Sequence, residues 1–324
     1  MKAQSFYYPF SLKLDSGDIL PELRLQYYTA GKINHNHENV VWLCHSMLHD
    51  GQFERWWPGM VGPGKVFDTE KYFIISVDMP AGLGKSSGPL STEPATDYPY
   101  LHDFPALTIK DLSNFFDLLR EHLQIPGLHS LVGIGMGAQV ALNWNCEKSD
   151  LSDFLILLGG GGCISSWSRQ HIIMQENVLK LDPTWQLHSR KAGENSMTLL
   201  TSMLKNSMLG SYQLDQSKID NYWHKQTYLP LNPFSITRLN NASNGYVPDV
   251  LQLKNIKANI LMLLSTNDPW ADHEAQLELL LHMQNAEFHY LPSQLGSLAY
   301  FENNELIIRE LQAVYHQKFK QKLA

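Results

Sequence analysis

The sequence predicts an α/β fold: a mostly parallel sheet flanked by helices, with a helical cap inserted into it. Short apolar runs alternate with amphipathic stretches, the pattern of βαβ units. The stretch from about Ile164 to Val250 breaks that rhythm and is rich in Met, Gln, Asn, Ser and Trp. The 324 residues suffice for one large α/β domain with an insertion, or for two domains.

Taken in order, Val40–Val41–Trp42–Leu43–Cys44 reads as a buried strand, as do Tyr72 to Val77, Ser130 to Gly133, Phe154 to Leu158 and Asn259 to Leu264. Alternation in Ala286 to Leu291 marks a further strand. Ile109, Leu112, Phe116, Leu119 and Leu123 fall on one helical face, and Ile307, Leu311, Val314 and Tyr315 do the same near the C-terminus. The core is therefore expected at 1–163 and 251–324, with the cap at 164–250. The loop from Ser86 to Pro105 is long, and ordered loops of such length are usually functional or tightly packed.

Composition is globular: 44% apolar and 18% charged. A net charge of -7 argues against nucleic acid as a partner. Cys44, Cys146 and Cys163 form no C-x-x-C pair, so neither a zinc site nor a disulfide framework is suggested, and no organic cofactor is indicated. Three thiols fit a reducing compartment. The first residues lack the apolar run of a signal peptide, and no window approaches ~18 uninterrupted apolar residues. The expectation is a cytoplasmic protein with no membrane partner.

Leu131 to Ala138 carries the chemical signal. Gly133–Ile134–Gly135–Met136–Gly137 follows an apolar strand end and precedes a helix-forming run. It has the outline of a G-x-S-x-G nucleophile elbow with glycine in place of serine. An ordinary glycine-rich turn is the alternative. The relaxed dinucleotide pattern G-x-G-x-x-A is also met, but no acidic residue ends a following strand where a ribose needs one. In a serine–acid–histidine site the acid falls on Asp268, just after the strand at 259–264. A helix N-cap is the competing role for Asp268, with Asp272 as rival for that cap. The segment Pro292 to Ala299, where a histidine belongs, has none, and Ser297 occupies the place. His289 sits within a strand pattern. After the strand at 40–44 comes His45–Ser46–Met47–Leu48–His49–Asp50. There the backbone N–H groups of Met47 and Met136 are the candidates for an oxyanion hole. His45 reads as a structural histidine at a strand end, and His49 as a replacement base or, more simply, a solvated loop histidine.

Longer motifs carry a resemblance. Trp56–Trp57–Pro58–Gly59–Met60–Val61–Gly62–Pro63–Gly64–Lys65, followed by Phe67–Asp68–Thr69 and Tyr72–Phe73, is similar to a W-W-x-G-x-x-G-P-G-K-x-x-D-T-x-x-Y-F stretch. Gly88–Pro89, Pro94–Ala95–Thr96, Pro99–Tyr100 and Asp103–Phe104–Pro105 with Thr108 and Asp111 resemble the run that comes next. The family is the homoserine O-acetyltransferases of methionine biosynthesis. The resemblance is best over 25–180 and 258–301. It implies an α/β-hydrolase core, a helical cap that often makes a homodimer, and a ping-pong reaction in which a serine passes acetyl from acetyl-CoA to the homoserine hydroxyl. Carried over, the serine falls on Gly135, the acid on Asp268 and the histidine on Ser297. No arginine stands near Thr198 to Leu204, where the family has one. Removing serine or histidine from such a triad costs on the order of a millionfold in kcat. The expectation is a pseudoenzyme that binds an acyl-CoA or amino-acid-like small molecule, or that pairs with an enzyme partner. The alternative is acyl transfer or hydrolysis without the triad, using His49, Asp268 or Ser297 with water.

Overall fold

The structure is a computed structural model that describes residues 1–209, 231–302 and 304–322. Its centre is an eight-stranded sheet: β1 (Lys2–Tyr8), β2 (Leu23–Ala30), β3 (Val40–Cys44), β4 (Phe73–Val77), β5 (Leu128–Ile134), β6 (Ser152–Leu158), β7 (Asn259–Ser265) and β8 (Ala286–Leu291). They lie in the order β1-β2-β4-β3-β5-β6-β7-β8. β1 pairs antiparallel with β2, and β2 with β4. All other pairs are parallel. This is the sheet of the α/β-hydrolase fold, as the sequence predicts.

Every residue of β3 is buried, which is why it reads as an unbroken apolar run. Trp42 and Cys44 face one layer and Val41 and Leu43 the other. On the first side Trp42 meets Trp144 edge-on at 5.0 Å and Phe116 at 6.1 Å. Those rings belong to α1 (Ile109–His122) and α2 (Met136–Glu147). The expected stripe on α1 is buried at Ile109, Leu112, Phe116 and Leu119. On the other side Val41 and Leu43 pack in the cluster that holds Ile307 and Leu311, from the C-terminal helix at 304–322.

Thr108 starts α1. Its Oγ1 accepts from the Asp111 N–H at 3.2 Å, while Asp111 Oδ2 accepts from the Thr108 N–H at 2.9 Å. This reciprocal cap satisfies two otherwise orphaned donors. Thr108→Ala is expected to cost about 1 kcal/mol, read as a lower urea midpoint at unchanged slope.

The loop 86–105 is tightly packed at its start: Ser86 and Ser87 accept from the N–H groups of Gln26 and Arg24 on β2. Between β6 and β7 come α3 (Ser166–Leu181), α4 (Met197–Ser207) and α5 (Pro233–Asn244). Residues 210–230 of the expected cap lie outside the described residues. The helix α6 (His273–Leu280) then joins β7 to β8, and α7 (Asn304–Lys322) ends the chain. Among the described residues no helix is long and apolar enough to cross a membrane.

Candidate functional site

The turn from β5 to α2 is tight. Gly135 stands at φ 56 and ψ -120, a region that costs a side-chain-bearing residue strain and glycine little. Its N–H donates to the Leu158 carbonyl at 2.8 Å, and its own carbonyl accepts from the Ala138 N–H at 2.9 Å. The neighbouring glycines serve close approach. A Cβ on Gly133 would strike the backbone of Gly137 and Ala138, and one on Gly137 would strike the carbonyl oxygens of Cys44 and His45. At Gly135 there is room, because an added Cβ would meet only Ser46 Cβ, at 3.7 Å. Gly135→Ser is therefore expected to fit sterically yet lose on the order of 1 kcal/mol through backbone strain. A thermal melt in which the serine variant is equally or more stable would contradict that account of the turn.

Asp268 follows β7 and is 5% exposed. Its Oδ1 accepts from Ser297 Oγ at 2.6 Å and the Trp270 N–H at 3.0 Å. Its Oδ2 accepts from Tyr300 Oη at 2.8 Å, and Tyr300 Oη accepts in turn from the Ser265 N–H at 3.0 Å. Burial raises the Asp268 pKa against the opposing pull of these hydrogen bonds, and burial likewise drives the Tyr300 hydroxyl well above its ordinary value. Asp268 caps no helix: Asp272 is the N-cap of α6 and accepts from the Ala275 N–H.

Ser297 sits in a single 3-10 turn after β8, Gly296–Leu298. Ser46, Met47, Gly135, Met136, Asp268 and Ser297 all line one pocket of ≈ 100 Å³. A water occupies about 10–15 Å³ in that measure, so the space takes a group of several heavy atoms. Its wall is otherwise largely apolar, with Leu48, Leu204, Trp270 and Phe301. Met136 opens α2, so its N–H has no partner four residues back in the helix.

His45 and His49 lie behind this wall. His45 Nδ1 donates to the Ser46 carbonyl at 2.8 Å while its Nε2 accepts from the Met79 N–H at 3.2 Å. These partners fix the orientation of the ring. The expectation of a solvated His49 is overturned: the residue is 3% exposed. Its ring lies 4.7 Å from that of Phe301 and 5.5 Å from that of Trp56. Its Nδ1 lies 2.6 Å from Ser46 Oγ. Burial, and secondarily the nearby His45, lowers its pKa to about 3. His289 pairs with Glu310 at 2.7 Å and lines no part of the pocket.

Two neighbours of the site went unread in the sequence. Tyr300 directly follows the segment Pro292 to Ala299 and carries no motif signal of its own. The run Gly159 to Gly162 forms part of the pocket wall, and Gln276 Oε1 accepts from the N–H groups of Gly161 and Gly162 at 3.1 and 2.9 Å. Four glycines in sequence were the available signal. The helix α4, where an arginine was looked for, carries Lys205 as its only basic residue. Among the described residues no group of His, Cys, Asp or Glu side chains is placed to hold a metal ion.

Sheet order and the helices on both of its faces define a protein of the α/β-hydrolase fold. Its curated homologues include homoserine O-acetyltransferases. The chain is 26% identical over 335 residues to the homoserine O-acetyltransferase of Cyclobacterium marinum, an alignment that covers 97% of this chain and 95% of that one. It is 33% identical over 180 residues to the homoserine O-acetyltransferase of Chlorobaculum parvum, covering 56% of this chain and 50% of the other. It is 36% identical over 181 residues to a homoserine O-succinyltransferase of Nocardioides sp., covering 53% and 49%. In these last two comparisons the match spans about half of the relative's length. No family model matches the chain. Among solved structures, homoserine O-acetyltransferase from Bacillus anthracis superposes with a TM-score of 0.82 at 20% identity, covering 96% of each chain. An acetylester hydrolase from Corynebacterium glutamicum superposes with a TM-score of 0.81 at 18% identity, covering 97% of this chain and 96% of that one. At such identities the likeness speaks for the fold.

Proposed function

We propose that the protein is a homoserine O-acetyltransferase-like protein that binds an acyl-bearing or amino-acid-like small molecule and has given up acyl transfer through the triad. The observation that carries this reading is Gly135. It holds an elbow backbone with space for a side chain, yet supplies no nucleophile. Asp268 supports it, since the oxygens that would orient an imidazole accept instead from the hydroxyls of Ser297 and Tyr300. The N–H groups of Met47 and Met136 remain suited to hold a carbonyl oxygen in the pocket. We further read residues 164–250 as a cap over that pocket, the place for a homodimer or an enzyme partner, and the protein as cytoplasmic.

The test is thiol release from acetyl-CoA with and without L-homoserine, paired with melting in the presence of each compound. The expected result is a raised melting temperature with at least one of them, and turnover at least about 10⁴-fold below that of a triad enzyme. Homoserine-dependent release in the ordinary enzymatic range, roughly 1–10³ per second, overturns the reading. The similarity to an acetyltransferase along nearly the whole chain favours a second reading, direct acetyl transfer between two bound substrates. That outcome would promote it.

A further inference from the structure

We infer that Ser46, with His49 as its base, is a nucleophile that takes an acyl group from esters or thioesters bound in the pocket. Nothing in the motif comparison assigns Ser46 a role. The inference rests on the acyl-ligand reading above and names the atom that reacts.

Three observations converge on Ser46. It lines the same pocket as Gly135, Met136, Asp268 and Ser297. Its Cβ lies 3.7 Å from where a Cβ on Gly135 would stand, so its hydroxyl serves the same corner of the pocket that an elbow side chain would fill. Its Oγ lies 2.6 Å from His49 Nδ1, the nucleophile–base spacing that activates a hydroxyl. The base is held in place by the rings of Trp56 and Phe301.

The oxyanion arrangement follows the same logic. In an elbow, the N–H of the residue after the nucleophile helps bind the developing oxyanion. Met47 follows Ser46 and lines the pocket. Ser297 is the rival hydroxyl, held at 2.6 Å by Asp268. The N–H that follows it, on Leu298, already donates to the Leu295 carbonyl at 3.1 Å. A carbonyl attacked by Ser297 would find that donor engaged.

In the reaction, Ser46 Oγ bonds to the acyl carbon and its proton passes to His49 Nδ1. The C–S or C–O bond to the leaving group then breaks, and the departing sulfur or oxygen takes the proton from the imidazolium. Water or an alcohol releases the acyl group by the reverse sequence. Burial holds the His49 pKa well below its ordinary value, which keeps the imidazole neutral at pH 7 but makes it a weak base. The same burial disfavours the imidazolium that this step forms, so acylation here is slow and is sought as a trapped adduct.

The experiment is labelling of the full-length protein with an alkyl fluorophosphonate, which replaces its fluoride by a serine oxygen, followed by mass spectrometric mapping. The expected result is one label per chain on Ser46, absent from Ser46→Ala and regained as a thiol adduct in Ser46→Cys. A label on Ser297 or any other residue instead, a label that persists at full level in Ser46→Ala, or no label on wild-type protein overturns the inference. If acetyl-CoA or homoserine still raises the melting temperature while no label forms, Ser46 fails and the ligand-binding reading stands.

Discussion

The Tyr300→Phe variant is expected to lose about 3 kcal/mol of stability at pH 7, a large effect for one oxygen atom. The Tyr300 hydroxyl is a bridge in a short chain of hydrogen bonds: it accepts from the Ser265 N–H and donates to Asp268 Oδ2. Its removal leaves two buried polar groups without that partner, and each such loss costs about 1–3 kcal/mol, more for a charged group. The cost depends on pH in a definite direction. Burial raises the Asp268 pKa above its unfolded value, so the fold favours the protonated carboxyl. That contribution to stability is fully present below the unfolded pKa and is lost as pH rises through the folded one. The tyrosine hydrogen bond acts against burial by favouring the carboxylate. Without it the folded pKa rises further, and the penalty of the variant is largest near neutrality and smallest in acid. Urea titrations of wild type and variant at pH 7 and pH 4.5 measure this. Equal losses at both values would show that Asp268 does not ionise against the fold.

Gly137→Ala is expected to be more damaging than Gly135→Ser, although the two residues lie in one turn. A Cβ on Gly137 would stand 2.5 Å from the His45 carbonyl oxygen and closer still to that of Cys44. Both are backbone atoms at the end of a central strand, so no rotamer change relieves the clash. Overpacking typically costs about 1–3 kcal/mol and occasionally more, and a clash of backbone with backbone belongs at the top of that range. The expected outcome is a strong fall in soluble yield and melting temperature. Gly127→Ala is the control. Its Cβ would meet only the Leu151 carbonyl, at 3.4 Å, and its melt is expected to match wild type closely. A Gly137→Ala protein as stable as that control would mean that the turn can move away from β3.

The inner strands β3 to β7 were legible in the sequence because helices cover both faces and leave continuous apolar runs. β1 and β2 went unread. In β1 only Phe6 is buried, since an edge strand presents most of its length to solvent. In β2 Leu23, Leu25 and Tyr27 alternate with Arg24 and Gln26, but Tyr28 and Thr29 are buried as well and blur the period. For the site, local pattern singled out Gly135, Asp268 and Ser297, and the fold brings these three to one pocket. The surroundings of His49 were not legible. The chain near it is polar, and the rings that bury it come from positions 56 and 301. Tyr300 and Ser46 were missed for the same reason, as their partners lie across the fold or depend on the precise path of a turn.

Strand order also governs when the pocket can exist during synthesis. The outer neighbour of β6 is β7, and residues 159–258 must be made before that pairing forms. Until then β6, with Phe154 to Leu158 all destined for burial, offers an open apolar edge. Pairing across so long a separation is slow, and an exposed edge of this kind is where chains associate wrongly. The nascent protein therefore passes through a window of vulnerability that closes only when its last fifth emerges. The pocket walls, from Ser46 to Phe301, assemble at the end of that window.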